Sequence, residues 1–251
     1  MKPNELTVCG LTAVRALFAT DAGAIKRLYF DYPTGRRIGL ICKALAVARK
    51  VYRCVEPEEL EKIAGTVHHG GIVAVIEQRE LRPPRSEDLQ RWARSRQLLL
   101  LLDRIGNAHN LGAIVRTAAF FGVIHVIIPE DPSQALPGEA THRVAEGGMA
   151  HVDFHQVKSL AEFIRTARPF YEVVGAATRG AVLLRRSPGT PGPAAKPIAL
   201  VLGNEEHGLA PEVAAACDRL VAIGGSGAVE SLNVSAAAAI LLHHFIGERR
   251  T

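Results

Sequence analysis

The sequence is poor in aromatic residues, which make up 5% of its 251 residues and include a single Trp. Because 48% of the residues are nevertheless hydrophobic, we predict an aliphatic core of ordinary size. No apolar run reaches the roughly 18 residues that a membrane-spanning helix needs. The first ten residues also lack the charged and then apolar segments of a signal peptide. We therefore expect a soluble, cytoplasmic protein without a membrane partner.

Cysteine is scarce as well, and its spacing excludes two kinds of site. The chain has four Cys and no C-x-x-C pair, so we expect neither a disulfide framework nor a zinc site. We expect a buried thiol at each of the four positions, which are Cys9, Cys42, Cys54 and Cys217. His151 and His155 lie in the segment HVDFHQV, which alternates like a strand, and we predict no metal there.

The chain also lacks the phosphate-binding loops of common nucleotide enzymes. It contains no G-x-x-x-x-G-K-[ST] segment. Its segment GGSGAVES places Glu230 where a dinucleotide fingerprint needs a third Gly, and this segment follows the last predicted strand instead of the first. The absent dinucleotide fingerprint argues against a nicotinamide-dependent oxidoreductase.

Positive charge is concentrated in the first part of the chain. Residues 1–97 contain 17 Lys and Arg against 11 Asp and Glu, a net charge of +6. Residues 98–251 contain 13 against 14, a net charge of −1. This asymmetry favours a polyanionic partner, and a solvated basic surface is the alternative.

The helix and strand patterns divide the chain into two domains. Over residues 1–80, short helical and strand patterns alternate, which predicts a small α/β sandwich. Residues 81–97 contain a Pro-Pro pair and many charges, which indicate a linker that runs into a short helix.

From residue 98 to residue 251 the pattern changes. The continuous apolar runs LLLLLD, VIHVIIP, YEVVGAA, IALVLG and RLVAI are typical of strands that are buried on both faces. Helical patterns separate them, so we predict a parallel sheet that is covered on both sides. The Pro- and Gly-rich segment 178–197, which contains Arg185 and Arg186, is predicted to be a long loop.

Polar side chains and glycines follow three of these strands, where parallel α/β folds bind ligands. The residues that we single out there are Asn110, Arg116, Glu205, Ser231 and Asn233. Each also has a purely structural interpretation. Asn110 could cap a helix predicted over 111–121, and Ser231 and Asn233 could cap the last helix. Arg116 could be a surface side chain, and Glu205 could be an acid in a first helical turn.

Three segments in order resemble the motifs of the SpoU (TrmH) family of RNA ribose 2'-O-methyltransferases, part of the SPOUT superfamily. The segments are NAHNLGAIVRTAAFFGV, LVLGNEEHGL and VAIGGSGAVESLNVSAAAAI. Upstream, residues 1–78 resemble the L30e-like substrate domain of that family, including the segment HHGGIVA. The resemblance thus covers nearly the whole chain.

This resemblance implies a fold and a cofactor that composition and periodicity do not indicate. The family threads its carboxyl-terminal chain through a loop to form a deep trefoil knot, an exception to the rule that chains are unknotted. The loops of the knot bind S-adenosylmethionine. The residues implied to bind it are Leu202, Gly203, Asn204, Ile223, Gly225 and Leu232. The chain departs from the family at Gly224-Gly225, where members usually have Pro-Met, and the extra backbone freedom predicts a loop that costs more to order.

The resemblance also assigns the five polar residues to methyl transfer to a ribose 2'-hydroxyl. A guanidinium is effectively always protonated, so we predict that Arg116 clamps a phosphate and stabilises the developing oxyanion instead of acting as the base. Asn110 is predicted both to cap its helix and to hold Arg116. Glu205 is predicted to order its loop and Asn110.

The predicted partner is structured RNA, either rRNA or tRNA. The alternative function is an RNA-binding protein of the same fold that has lost turnover, which only Gly224-Gly225 suggests. The last helix, NVSAAAAILLHHFIG, is small or apolar on nearly all sides, and we expect it to form a homodimer together with LGAIVRTAAFF. The alternative is that both helices are internal to one subunit.

Overall fold

The computed structural model describes residues 4–184 and 195–246. Within them the chain forms two compact units. The first unit consists of Met1–Glu80 and Pro137–His151, and the second of Leu81–Leu136 and Val152–Thr251. Residues 137–151, which come from the middle of the predicted second domain, thus pack into the first unit. The domain boundaries drawn from the sequence stay a prediction.

The helices and strands are numbered in chain order. The helices are α1 (Leu11–Asp21), α2 (Tyr32–Gly35), α3 (Gly39–Val47), α4 (Pro57–Ala64), α5 (Ser86–Arg94), α6 (Ala108–Phe120), α7 (Glu139–Ala145), α8 (Leu160–Ala167), α9 (Pro211–Ala216) and α10 (Val234–Ile246). The strands are β1 (Glu5–Cys9), β2 (Ile25–Phe30), β3 (Val51–Cys54), β4 (Ile72–Glu77), β5 (Leu99–Asp103), β6 (His125–Pro129), β7 (Asp153–Val157), β8 (Glu172–Ala176), β9 (Val182–Leu183), β10 (Ile198–Gly203) and β11 (Arg219–Ala222).

The first unit is a four-stranded sheet with helices on both faces. Its strand order is β1-β4-β2-β3, with β4 antiparallel to both of its neighbours and β3 parallel to β2. Side chains alternate between the two faces of a strand. In β2, Leu28 and Phe30 therefore pack with α1 and α3, whereas Tyr29 packs with Val73 and α4 on the opposite face.

Segment 137–151 covers the β1 edge of this sheet. The Glu139 Oε1 atom accepts hydrogen bonds from the Thr7 backbone N, at 3.0 Å, and from the Thr7 Oγ1, at 2.6 Å. Thr7 is 2% exposed. Gly147, at φ +94°, lies against α1, where an added Cβ would come within 3.0 Å of the Ala16 Cβ. An uncovered edge strand would expose unpaired backbone groups, so this segment completes the first unit.

The second unit confirms the predicted parallel sheet. It has seven strands in the order β7-β6-β5-β10-β8-β11-β9, and every neighbouring pair is parallel. One apolar cluster joins the sheet to α5, α8 and α9. Helices α6 and α10 pack against each other, and α10 also contacts β10, so they cover the other face. All five residues of β5 are buried, as expected for a central strand.

The prediction that residues 178–197 form one long loop needs correction. Val182–Leu183, inside the predicted 178–197 loop, form a strand that pairs with β11, whereas Arg185 and Arg186 lie outside the described residues. No helix in the described ranges is both long and apolar enough to cross a membrane.

All four cysteines are free, as a fold without disulfides requires, but they are not all buried. Cys54 is exposed because its strand β3 forms an edge of the first sheet and presents all four residues to solvent. The prediction of a buried thiol is therefore wrong for Cys54, and Cys9, Cys42 and Cys217 are only partly buried. Cys217 is half-buried, and burial raises the pKa of its thiol to about 12.

Candidate active site

Three of the predicted polar residues meet at the carboxyl edge of the second sheet. The Asn110 Nδ2 atom donates to the Glu205 Oε1 at 2.6 Å, and the Asn233 Nδ2 donates to the Asn110 Oδ1 at 3.1 Å. Glu205 lies two residues beyond β10, Asn110 lies in the first turn of α6, and Asn233 directly precedes α10. One chain of hydrogen bonds thus joins three elements that are far apart in sequence.

The start of α6 corrects one prediction about Asn110. The helix begins at Ala108, and the side chain of Asn107 caps it by accepting from the His109 N at 2.8 Å. Asn110 is therefore inside the helix, and its predicted capping role is wrong. The segment NAHN offers two Asn residues, of which the first takes the cap. This leaves the amide of Asn110 for Glu205 and Asn233.

Asn233, in contrast, is a cap as considered, and it also bonds to Asn110. Its Oδ1 atom accepts from the Ser235 N, at 2.9 Å, and from the Ser235 Oγ, at 2.6 Å, and so caps α10. Because these two donors fix the oxygen, the amide nitrogen is directed toward Asn110. The polar entrance of the last helix is thus both a cap and part of the site.

Arg116 and Ser231 are both exposed residues of the second unit. Arg116 lies on α6, six residues after Asn110, and Ser231 lies two residues before Asn233. An exposed guanidinium within the otherwise apolar or small segment AIVRTAAFF suits contact with a large anionic substrate. The predicted contact between Asn110 and Arg116 stays a prediction.

The loop after β10 is closely folded around its glycine. A Cβ on Gly203 would lie 2.4 Å from the backbone C of Gly208, so no other residue fits without displacing the loop. Asn204 and Gly208 exchange backbone hydrogen bonds of 3.0 and 2.9 Å. The Asn204 Oδ1 atom also accepts from the backbone N of Glu206 and of His207. The Leu202-Gly203-Asn204 segment therefore holds Glu205 in a defined place.

Sequence reasoning missed an ion pair that supports this loop. Asp103, the last residue of β5, is 3% exposed and bonds to Arg104, with Nε to Oδ1 at 3.0 Å. Its Oδ2 atom accepts from the Ala210 N at 2.7 Å, and the Arg104 carbonyl accepts from the Asn204 Nδ2 at 2.8 Å. An acid at the end of a fully apolar strand was the available signal, because a buried carboxylate needs partners.

The loop after β11 presents bare backbone to solvent. Ile223 is half-buried and every residue from Gly224 to Asn233 is exposed. A Cβ on Gly225 would meet nothing within 4 Å, and one on Gly224 would only reach the Leu183 side chain, at 3.9 Å. Val229 is 72% exposed and Leu232 is 47% exposed. Exposed backbone beside apolar side chains fits the polar and apolar parts of S-adenosylmethionine.

Two family models match consecutive parts of the chain. The model described as the SpoU rRNA methylase family matches residues 97–243. The model described as RNA 2'-O ribose methyltransferase substrate binding matches residues 7–82.

Similar proteins and structures carry related descriptions. The chain is 34% identical to the 23S rRNA (guanosine-2'-O-)-methyltransferase RlmB of Nitrosomonas europaea over 243 residues, which are 94% of this chain and 88% of that protein. It is 36% identical over 154 residues to an uncharacterized tRNA/rRNA methyltransferase of Haemophilus influenzae, covering 60% of this chain but only 42% of that protein. The structure of the AdoMet-bound rRNA methyltransferase from Sinorhizobium meliloti superposes with a TM-score of 0.80 at 26% identity, covering 99% of this chain and 89% of that one.

Proposed function

The chain belongs to the SpoU rRNA methylase family, and we propose that it methylates the ribose 2'-hydroxyl of a guanosine in 23S ribosomal RNA. It is an S-adenosylmethionine-dependent RNA 2'-O-ribose methyltransferase. The finer choice of substrate rests on one observation, the similarity over nearly the full length of both chains to the Nitrosomonas enzyme.

The reaction needs positioning more than activation. When bound, S-adenosylmethionine supplies a methyl group on a sulfonium centre, which is already a good leaving group. The protein must orient a poorly acidic hydroxyl for in-line attack, and orientation can contribute about 7–11 kcal/mol to lowering such a barrier. Arg116 holds the phosphate beside the target ribose in this proposal and stabilises charge that develops on the 2'-oxygen.

The remaining polar residues have positioning roles. Glu205, through Asn110, keeps the start of α6 and the loop after β10 together, since their hydrogen bond is 2.6 Å long. Asn233 adds the start of α10 to the same chain of bonds. Ser231 lies on the exposed loop before it and faces substrate in this proposal.

We place the cofactor between the loops that follow β10 and β11. The first loop contributes Leu202, Gly203 and Asn204, whose conformation is supported by the Asp103–Arg104 pair. The second contributes its backbone at Ile223 and Gly225 and the exposed Leu232. The trefoil knot belongs to the same proposal: β10 enters the sheet between β5 and β8, and α10 follows against α6.

The proposal divides the work between two domains. Residues 1–80 bind RNA, residues 81–97 link the domains, and residues 98–251 hold the cofactor and catalyse transfer. Two chains act as a homodimer through α6 and α10, where Phe120 is 77% exposed and Ile240 is 41% exposed.

Transfer of labelled methyl from S-adenosylmethionine to transcribed 23S ribosomal RNA tests this function. We expect label on one ribose, located by blocked alkaline cleavage on the 3' side of a guanosine. A product on tRNA alone would overturn the substrate. Tight binding of RNA without any labelled product would identify the protein as a non-catalytic RNA-binding protein.

A further inference from the structure

The two helical faces of the first unit carry opposite charge. The stretch 11–50, which contains α1, α2 and α3, has eight Lys and Arg and only two acids. One of these acids, Asp21, pairs with Arg79, and the other, Asp31, caps α2. The α4 face instead has four Glu, at positions 56, 58, 59 and 61. Since α1 and α3 pack on one side of the sheet and α4 on the other, the unit has a basic face and an acidic face.

The basic face has a cluster of cations that pair with no carboxylate in the parts of the chain that the structure describes. We call Arg15, Arg36, Arg37 and Lys43 the cation cluster. The Arg15 guanidinium donates to the Arg37 carbonyl at 3.0 Å, which brings α1 next to the start of α3. All four side chains are exposed. Uncompensated cations gathered on one surface favour a polyanion.

Exposed apolar groups lie within the same face. Tyr32 begins α2 and is 73% exposed, and Leu40 and Val47, which flank Lys43 on the outer side of α3, are 83% and 80% exposed. A tyrosine ring among cations is a stacking surface for an unpaired base, because single-stranded RNA is bound by aromatic stacking and phosphate contacts together. The mixture therefore suits RNA better than a protein surface, which would leave the cations unpaired.

We infer that RNA lies across the α1–α3 face of the first unit, with the cation cluster on its phosphates and Tyr32 against an unpaired base. This inference rests on the proposed function in taking RNA as the substrate. The α4 face, with its four Glu, lies on the opposite side of the sheet and repels the RNA backbone.

Two charge-reversal variants with equal changes in net charge test this placement. Arg36→Glu/Arg37→Glu changes the basic face. Arg53→Glu/Lys62→Glu changes the opposite face, where Arg53 lies beside Tyr29 in the sheet and contacts Glu59 of α4. Loss of two phosphate contacts, at a slope of about −0.9 per contact, predicts about 30-fold weaker binding at about 0.15 M salt. The log-log salt slope should be shallower by about 2.

The probe is transcribed 23S ribosomal RNA, with binding measured over a salt series. We expect the Arg36→Glu/Arg37→Glu variant to lose about 30-fold and the Arg53→Glu/Lys62→Glu variant to bind at nearly the wild-type level. Tyr32→Ala should lose about tenfold without a change in salt slope, because stacking releases no counterions. Equal losses in both double variants, or a larger loss on the α4 face, overturn the inference.

Further measurements distinguish failure of this inference from misfolding of a variant and from failure of the proposed function. Thermal unfolding and S-adenosylmethionine titration verify that each variant is folded. If Arg36→Glu/Arg37→Glu is not folded, Lys43→Glu replaces it and Lys62→Glu becomes the matched control. If wild-type protein transfers no methyl group but the binding losses follow the predicted pattern, the proposed function fails and the RNA face stands. If transfer occurs and the basic-face variants bind normally, the RNA face fails alone.

Discussion

The side chain of Asn233 makes two different kinds of contact through its two polar atoms. Asn233 caps α10 with its oxygen and donates to Asn110 with its nitrogen. Its replacement would remove both the cap, worth about 1 kcal/mol, and the contact with α6. Loss of activity in such a variant does not by itself identify a catalytic residue. Arg116 is a cleaner probe because it is exposed.

We expect Arg116→Ala to lower methyl transfer by at least about 100-fold, the usual scale for removing a group that stabilises a developing oxyanion. The fold and the affinity for S-adenosylmethionine should change little, because the proposed contacts of Arg116 are to RNA. Single-turnover transfer and calorimetric titration measure the two quantities. Arg165→Ala, at another exposed helical arginine of the same unit, is the matched control. Near-wild-type transfer in Arg116→Ala would remove Arg116 from the mechanism.

In the Gly224-Gly225 pair, replacement of Gly225 is predicted to increase the affinity for S-adenosylmethionine. Gly225 does not have a positive φ, and a Cβ there meets nothing within 4 Å. Gly225→Ala should therefore restrict the unfolded and unbound chain without strain, an effect of about 0.4–1 kcal/mol. If the loop is ordered on binding, S-adenosylmethionine should bind about two- to fivefold more tightly.

Gly227 provides the matched control for this experiment. Its φ is +82°, a conformation that disfavours a side chain, so Gly227→Ala should weaken binding in the same titration. Weaker binding by Gly225→Ala as well would show that the open space beside Gly225 is needed by the ligand, contrary to the prediction.

Among the helices and strands, the apolar runs predicted the strands better than the polar residues predicted where helices begin. The runs at β5, β6, β8, β10 and β11 are mostly apolar, which is typical of buried parallel strands, and the structure confirms the parallel sheet, although β11 is only partly buried. The start of α6 was misplaced because two Asn residues compete for one cap. The association of 137–151 with the first unit depends on a contact between Thr7 and Glu139, 132 residues apart, which no local pattern encodes. Asn110, Glu205 and Asn233 were recognisable by resemblance, whereas Asp103 was not.

A contact between helix α5 and the second sheet predicts that the folded state loses stability in acid. Trp92 stacks on His125 with ring centroids 3.7 Å apart, and the His125 Nδ1 lies 3.3 Å from the His155 Nε2. Burial, followed by the charge of His155, lowers the pKa of His125 from 6.5 to about 4. The pKa of His155 is also lowered, chiefly by burial. Both imidazoles are therefore neutral in the folded protein at neutral pH.

A lowered pKa in the folded state means that the unfolded chain binds the proton more readily. Stability should therefore be complete above about pH 6.5 and fall as the pH drops toward 4. His125→Phe keeps a ring against Trp92 and removes the titration, so its melting temperature should fall less between pH 7 and about 4.5 than that of the wild type. His68→Phe, at an exposed histidine, is the control. Equal decreases in wild type and His125→Phe would contradict the assignment. His142, whose pKa burial also lowers to about 4, contributes equally to all three proteins.

In the whole molecule, positive charge is unevenly distributed both along the chain and within the first unit. The net charge of +6 lies in the first 97 residues, and among the described residues of the first unit most cations without a carboxylate partner lie on the α1–α3 face. Residues 98–251 have a net charge of −1, which suits their proposed task of binding a small cofactor and orienting one ribose. Affinity for RNA and chemistry on RNA can thus be altered by separate substitutions.

The remaining expectation is that two chains associate through α6 and α10. The inner side of α10 is buried in its own unit through Val234, Ala238, Leu241, Leu242 and Phe245. Apolar groups nevertheless remain outside, since Phe120 of α6 is 77% exposed and Ile240 of α10 is 41% exposed. Because a helix that is apolar nearly all round is buried on more than one side, a second copy of these helices is the partner we expect.

Light scattering at micromolar concentration should therefore give twice the 27.0 kDa mass of one chain. Ile240→Glu/Phe120→Glu would place charges in the dimer interface, which is strongly unfavourable without partners, so this variant should be monomeric and impaired in methyl transfer. Leu40→Glu, at an exposed leucine of the first unit, should remain dimeric. This result would show that loss of any exposed apolar group is not sufficient to dissociate the dimer. A wild-type protein that is monomeric and fully active at this concentration would rule out the homodimer as the working form.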